Sequence, residues 1–268
     1  MAEERTRRAA VLLRDARLAR RPIGPLPADC RPTDLAEAYR IQEQLNVLLD
    51  EAGRGELTGH KIGCTTPVMQ AYMKIPHPCA GEVFGATVFE GHGRFRAADH
   101  LRPGVECEIA VRLDRDLESA GPGGGAGFDR ETVARAVGAC MASIEIVDDR
   151  YHDYPTLGTP TLVADDFFNA GCVLGPAVTA WRELDLVNLR GRMLVNGAPV
   201  GEGRGGDILG HPLDALAWLA GNLAERGRPL RAGTFVSLGS IVTTQWIGAG
   251  DDVRIELEGL GEARATFV

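Results

Sequence analysis

The sequence has no run of 18 apolar residues, so no membrane-spanning helix is expected. Its six cysteines, at 30, 64, 79, 107, 140 and 172, include no CxxC pair and no Cys/His cluster with zinc-ligand spacing. No secretion signal is evident, and the expectation is a reducing cytoplasm with free thiols. The histidines form no H-E-x-x-H pair, and neither Ser237 nor Ser240 lies in G-x-S-x-G. Positive charge is also short, with 29 Lys and Arg against 37 Asp and Glu. The resulting net charge of −8 disfavours nucleic acid and anionic membranes as partners. The one basic cluster, seven arginines between Arg5 and Arg21, is broken by Asp15 and reads as an amphipathic surface helix rather than a targeting peptide.

What is present fits an ordinary globular chain. A length of 268 residues suits one large domain or a domain with a small appendage. Residues 6–20 have helical spacing, and the Pro22–Pro27 segment stops them. Thr33 reads as an N-cap for a second helix whose buried face holds Leu35, Ala38, Ile41, Leu45, Leu48 and Leu49, with Gly53 ending it. Residues 1–57 are therefore expected as a helical N-terminal portion and 58–268 as a mixed-β catalytic domain. Strands are expected at 59–64, 82–89, 105–113, 143–148, 171–174, 192–195, 234–238 and 252–257, interrupted by helices over Arg130–Met141 and Pro212–Arg226. The glycine-rich stretch 120–127 reads as a flexible linker. The class is α+β.

Val105–Leu113 carries the first chemical signal. Val105, Cys107, Ile109, Val111 and Leu113 alternate with Glu106, Glu108, Ala110 and Arg112, as in a half-buried strand. Alternation puts Glu106 and Glu108 on one face, either as a cation site or as a solvated edge. Glu145, flanked by Ile144 and Ile146, is a third carboxylate, costly to bury unless paired or metal-bound. Three acids on two strands offer oxygen ligands of the kind Mg²⁺ or Mn²⁺ prefer. Lys61, in the short strand Gly59–Thr65, is either a cation facing a cavity, with a pKa that burial would lower, or a snorkelling surface lysine. Gly201–Gly206 matches G-x-G-x-x-G but does not open a helix directly, and no acid follows at the end of the next strand. Those glycines are expected instead to let backbone approach a ligand or another strand. His211 reads as a helix-entry residue, and Asp165-Asp166 as either an active-site pair or a turn.

With these residues in view, the chain resembles the 2-oxopent-4-enoate hydratase and 4-oxalocrotonate decarboxylase group of the fumarylacetoacetate hydrolase superfamily. The resemblance rests on HKIGCT at 60–65, VECEIAV at 105–111, SIEIVDDR at 143–150, ADD at 164–166, GHPLDALAWLA at 210–220 and AGDDVRIELEGLG at 249–261. It implies a mixed-β roll with an α-helical N-terminal portion, assembly into homo-oligomers, and Mg²⁺ or Mn²⁺ held by Glu106, Glu108 and Glu145. It also moves Lys61 into the active site. The group carries an aspartate in Q-P-D-F-G where this chain has His77-Pro78-Cys79-Ala80-Gly81, and A-D-N where this chain has Ala164-Asp165-Asp166. Both departures are expected at the distal end of the substrate. Gly63, Thr65, Cys79, Asp165, Asp166, Arg204 and Ser240 are the candidates for substrate contact.

The implied activity is addition of water to a 2-hydroxy-2,4-dienoate, in the breakdown of aromatic compounds by meta-cleavage. Alternatives are decarboxylation of a 2-oxo-hexenedioate with Arg204 as a distal cation, a diketo-acid C–C hydrolase using His60 or His77, and an inactive oligomeric partner subunit.

Overall fold

The structure, a computed structural model, describes residues 2–118 and 127–268. The linker expected at 120–127 therefore lies almost entirely outside the described residues. The chain opens with helices α1 (Ala2–Leu18) and α2 (Leu35–Leu49), followed by β1 (Leu57–Gly63), α3 (Pro67–Met73), β2 (Cys79–Phe84), β3 (Val88–Glu90) and β4 (His92–Phe95). Then come β5 (Pro103–Leu113), α4 (Arg130–Ala134), β6 (Val137–Asp148), α5 (Tyr154–Leu157), α6 (Thr159–Ala164) and β7 (Asn169–Leu174). The last part holds β8 (Arg190–Val195), β9 (Ala198–Arg204), α7 (Pro212–Glu225), β10 (Phe235–Ser240), β11 (Gln245–Trp246), β12 (Asp252–Leu257) and β13 (Gly261–Phe267). Among the described residues no helix is long and apolar enough to cross a membrane.

Two mixed sheets carry the fold. One has the order β2-β1-β10-β5-β6-β7-β3 with β11 added alongside β5, and the other runs β4-β13-β12-β8-β9. Strands β12 and β13 lie against β6, so the second sheet covers part of the first. Helices α1 and α2 share one apolar core with both sheets, through Leu13, Ile41 and Leu45. Polar contacts bind them further: the Gln42 amide donates to the carbonyls of Ala80 (2.9 Å) and Val163 (2.7 Å).

The sequence pattern places most elements correctly, and its errors have physical causes. The second helix is capped by Asp34, whose carboxylate accepts from the Glu37 amide at 2.8 Å. Thr33 instead donates from its amide and hydroxyl to the Glu37 carboxylate, so two competent capping residues divide the roles. The helix expected over Arg130–Met141 stops at Ala134, and Val137 begins a 12-residue strand. Pairing with β5 along its whole length overrides the local helical spacing. The strand expected over 82–89 is two strands at opposite edges of the large sheet, split by a turn at Gly85–Thr87. There the Gly85 amide donates to Glu56 and the Thr87 hydroxyl to Phe84.

Strand β5 is not a half-exposed element. It is central in its sheet, and Val105, Cys107, Ile109 and Val111 sit fully buried in the main core. Its other face carries Glu106 and Glu108, then Ala110, which packs with Met141, Cys172, Leu174 and Phe235 in a second small apolar cluster. The solvated-edge reading of the two acids is thereby excluded.

The glycines at 201–206 lie in and just beyond β9, where they allow close passage of backbone. A Cβ at Gly203 would stand 1.9 Å from the Ile241 carbonyl oxygen, and one at Gly205 would stand 1.8 Å from that of Leu186. Neither neighbour is a flexible side chain, so Gly203→Ala and Gly205→Ala should each destabilise the fold by about 1–3 kcal/mol or more. Chemical denaturation measures this, and unchanged midpoints would contradict the packing described.

Candidate metal centre

Three strands build the site. Glu106 on β5 is directly opposite Glu145 on β6, and Glu108, one pleat further along β5, is opposite Ser143. Alternation and register together put all three carboxylates on one sheet face. One oxygen from each lies within 4.8 Å of the others. Glu108 and Glu145 are fully buried, and Glu106 is half-buried. Lys61 enters from β1 through β10: its strand pairs with β10, where Lys61 is level with Ser237. Its Nζ is 3.1 Å from Glu145 Oε1, and the side chain is almost wholly buried. This excludes the surface-lysine reading.

Hydrogen bonds fix the carboxylates from behind. Ser237 donates its hydroxyl to Glu108, and the Gly239 amide donates to the same oxygen at 3.3 Å. Thr244 donates to Glu106, and Asn169 donates its side-chain amide to Glu145 Oε1 at 2.9 Å. The opposite oxygens, Glu108 Oε1 and Glu145 Oε2, are buried with no hydrogen-bond partner among the described residues. Buried carboxylate oxygens without partners are costly.

Charge sharpens the point. Burial pushes the Glu108 carboxyl well above its usual range, and Glu145 and Glu106 add to the rise against Ser237 and Lys61. Burial likewise raises Glu145, with Lys61 opposing and Glu106 adding, to about 7. Lys61 behaves differently from the sequence expectation. Burial pulls it down, but Glu145, Glu106 and Glu108 outweigh burial and hold the ammonium above the ordinary lysine range. With every group ionised, three carboxylates and one ammonium leave two negative charges, which one divalent cation would neutralise. An all-oxygen donor set with two orphaned oxygens fits a hard divalent cation.

The other candidate residues fall into two groups. Gly63, Thr65, Cys79 and Ser240 lie close around the centre. A Cβ at Gly63 would strike the Phe167 ring at 2.7 Å, and that ring sits 5.1 Å from Lys61 Nζ. Thr65 packs on Gly239, next to the amide that reaches Glu108. Ser240 is in register with Glu108, but its hydroxyl donates to the Val242 carbonyl at 2.6 Å. The Cys79 thiol is buried 3.8 Å from that of Cys64.

Asp165, Asp166 and Arg204 have other employment. Asp165 accepts from Arg17 Nε (2.5 Å), Arg150 Nε (3.0 Å) and the Tyr151 hydroxyl (2.9 Å). Asp166 accepts from Arg17, from the Asn46 amide at 3.0 Å and from the Glu82 backbone amide at 3.1 Å. Both aspartates are buried and saturated by protein donors, so they act as a clamp and are not available to substrate. Arg204 is exposed on β9 and pairs with Asp207 at 3.7 Å. Of the histidines proposed as bases, His77 hydrogen-bonds the adjacent Pro78 carbonyl and stacks on Trp218. His60 alternates to the face of β1 opposite Lys61, and burial lowers it to about 4.

Sequence reasoning missed Asn169, Ser237, Thr244 and Phe167. Ser237 was detectable as the polar residue of an apolar strand. The others depend on turns. Asp166, Phe167 and Phe168 are three successive non-glycine residues at positive φ (54°, 47° and 69°), a strained run. Arg150 steadies it by donating to the carbonyls of Asp165, Phe168 and Asn169. The turn brings Phe167 against Lys61 and Asn169 onto Glu145.

Comparison with known proteins finds relatives along nearly the whole chain. Residues 72–268 match the profile of the family described as fumarylacetoacetate (FAA) hydrolase C-terminal. The chain is 34% identical to a 2-keto-4-pentenoate hydratase of Paraburkholderia phymatum, over 99% of this chain and 98% of that protein. It is 30% identical to a 4-oxalocrotonate decarboxylase of Pseudomonas putida, over 96% of this chain and 94% of that protein. The solved structure of 4-oxalocrotonate decarboxylase from Pseudomonas putida G7, complexed with magnesium and adipate, superposes with a TM-score of 0.91 at 28% identity. That match covers 100% of this chain and 99% of the other.

The clamp gives a pH-dependent prediction. Burial alone would raise the Asp165 carboxyl, but Arg150 and Arg17 outweigh it and hold it below the usual aspartate range. A carboxyl lowered by folding contributes stability that is complete above its unfolded pKa of about 3.9 and is lost as pH falls through the lower folded value. Asp165→Asn should cost about 3–5 kcal/mol near neutral pH by leaving Arg150 and Arg17 underpaired. It should also flatten the acid limb of stability against pH below about 4, read by denaturant titration across pH.

Proposed function

The chain belongs to the fumarylacetoacetate hydrolase family, and from this we propose that it is a divalent-metal-dependent hydratase. Its substrate is a 2-hydroxy-2,4-dienoate of the 2-oxopent-4-enoate type, and its product a 4-hydroxy-2-oxo acid, as in meta-cleavage breakdown of aromatic compounds. The observation that carries the reading is the buried cluster of Glu106, Glu108 and Glu145 with Lys61 at 3.1 Å. Mg²⁺ or Mn²⁺ is the cation in this reading, and a homo-oligomer, checked by light scattering, is the form of the enzyme.

When bound, the cation supplies an anchor for the substrate carboxylate and a Lewis acid that polarises the 2-oxo group. Glu106, Glu108 and Glu145 hold it, and Ser237, Thr244 and Asn169 keep those carboxylates in place. Lys61 provides the fixed positive charge that favours the dienolate oxygen during tautomerisation. The dienol becomes the conjugated 2-oxo-3-enoate by gaining a proton at its terminal carbon and losing the enol proton. Water then adds its oxygen at C4, and C3 takes the balancing proton. Phe167, packed on Lys61, keeps bulk water from the ammonium.

Decarboxylation of a 2-oxo-hexenedioate is the second reading, supported by the likeness to the Pseudomonas putida decarboxylase. It would use the same enolate stabilisation. Arg204, turned to Asp207, does not furnish the distal cation that a dicarboxylate calls for. The complete carboxylate set with Lys61 argues against an inactive partner subunit.

The purified protein should bind Mg²⁺ or Mn²⁺ in calorimetry and hydrate 2-hydroxypenta-2,4-dienoate without releasing carbon dioxide. Glu106→Gln should abolish metal binding and turnover together; intact binding and activity would sink the proposal. Carbon dioxide release from 2-oxo-3-hexenedioate, with no hydration of the dienoate, would select the decarboxylase. Asn169→Ala should weaken metal affinity by about 10–100-fold. Lys61→Ala should keep metal binding while lowering kcat by about 10²–10³.

A further inference from the structure

Beside the C-terminal end of α1 is a cavity of about 350 Å³ that the proposed reaction does not use. Its apolar lining includes Leu49, Phe84, Phe89 and Phe95. Phe95 is held rigidly, stacked on Phe267 at 5.4 Å and edge-on to Phe89 at 5.1 Å. The polar lining is dominated by seven arginines, in a chain whose net charge is −8.

Four of these arginines have acidic partners. Arg17 and Arg150 are bound to Asp165, and Arg20 and Arg96 approach Asp99 at 2.9 and 3.9 Å. The remaining three, Arg21, Arg54 and Arg94, form no ion pair or side-chain hydrogen bond with any described residue. The other acids of the lining are engaged. Asp148 accepts the backbone amides of Leu101 and Arg102, and Glu82 takes Arg228 and Asn46. Desolvation, then Arg17, Arg150 and Arg20, pull Arg54 below the ordinary arginine range against Asp99, so the local field is positive. An aromatic floor under uncompensated guanidinium groups suits a ligand with a flat apolar body and one anionic end. Guanidinium forks match a carboxylate in geometry, and the volume suits a small molecule.

We propose that this cavity binds a small aromatic carboxylate, with its ring on the phenylalanine floor and its charge among Arg21, Arg54 and Arg94. The site is separate from the metal centre but borders it. Asn169 lines the cavity and also donates to Glu145. The inference stands on the cavity's own residues and does not require the hydratase reading.

Calorimetric titration of the full chain in Mg²⁺ with benzoate, inorganic phosphate and benzyl alcohol tests it. Benzoate should bind saturably. Phosphate, which has charge without a ring, and benzyl alcohol, which has a ring without charge, should bind at least about tenfold more weakly. Arg54→Ala/Arg94→Ala should weaken benzoate at least about tenfold without changing the unliganded Tm, since neither side chain has an ion pair or hydrogen bond with a described residue to lose. Glu106→Gln, folded by the same Tm criterion, should bind benzoate as the wild type does. No benzoate binding, equal binding by the double arginine variant, or equal binding of phosphate would overturn the proposal. So would loss of benzoate in Glu106→Gln, which would put it at the metal centre; were that variant unfolded, the arginine variant decides alone.

Discussion

Glu106 and Glu145 face each other across the β5–β6 ladder with Glu108 one pleat away, so like charges meet where the sheet offers least water. At separations within 4.8 Å, each ionised pair repels by roughly 3 kcal/mol or more at an effective dielectric near 20. No local rearrangement relieves this, because a register shift of one residue would turn the whole strand over and expose Cys107 and Ile109 in place of the acids. Lys61 offsets one charge. The remaining pair of charges and the two unpartnered oxygens fit a dication with oxygen preference. The core side of β5 and the metal side are therefore one constraint: apolar packing locks the register that forces the carboxylates together.

The clamp at Asp165 and Asp166 is the second consequence of burial. Arg17 comes from the first helix, Arg150 from just after β6, and Asn46 from α2, so one pair of aspartates ties the helical N-terminal portion to the turn beside the site. That turn holds three positive-φ residues, conformations costing on the order of 1–3 kcal/mol each, which persist only where the surroundings over-determine them. Here the surroundings are the Arg150 guanidinium and its three carbonyl acceptors. The strain delivers two groups to the centre, Phe167 against Lys61 and the Asn169 amide on Glu145. Helix α1 thus supports the chemistry without touching it.

This division explains what the sequence disclosed. Strand alternation is a local property, so Glu106 and Glu108 were legible as a same-face pair, with Glu145 as a third candidate, whereas only the β5–β6 register puts Glu145 on that face. The helical N-terminus and the mixed-β remainder followed from the same periodicities. Residues 135–141 were misread because Ala, Val and Cys at helical spacing also satisfy a buried strand, and only eleven residues of pairing with β5 decide between them. Asp165 and Asp166 were ambiguous because a carboxylate's role depends on which cations reach it, and Arg17 arrives from 148 residues away. Asn169 and Thr244 could not be identified for the same reason: each owes its function to a turn that only tertiary packing holds.

Cys79 completes the electrostatic picture around Lys61. The resemblance read from the sequence implies an aspartate at this position, and an ionised carboxylate there would add a fourth negative charge to a buried centre. Burial instead raises the Cys79 thiol well above its ordinary range, with the Cys64 hydrogen bond reinforcing the rise, so the side chain is neutral. The carboxylates balancing Lys61 are then those of the metal centre itself, and the three-to-one ratio of carboxylates to ammonium is preserved. An uncharged wall at Cys79, Phe167 and Gly63 favours an apolar substrate end over a second carboxylate, because a buried anion without a partner is costly. Cysteine at 79 removes a charge that would repel a second carboxylate but supplies no cation to pair with one, so a monocarboxylate dienoate remains the better fit to this wall.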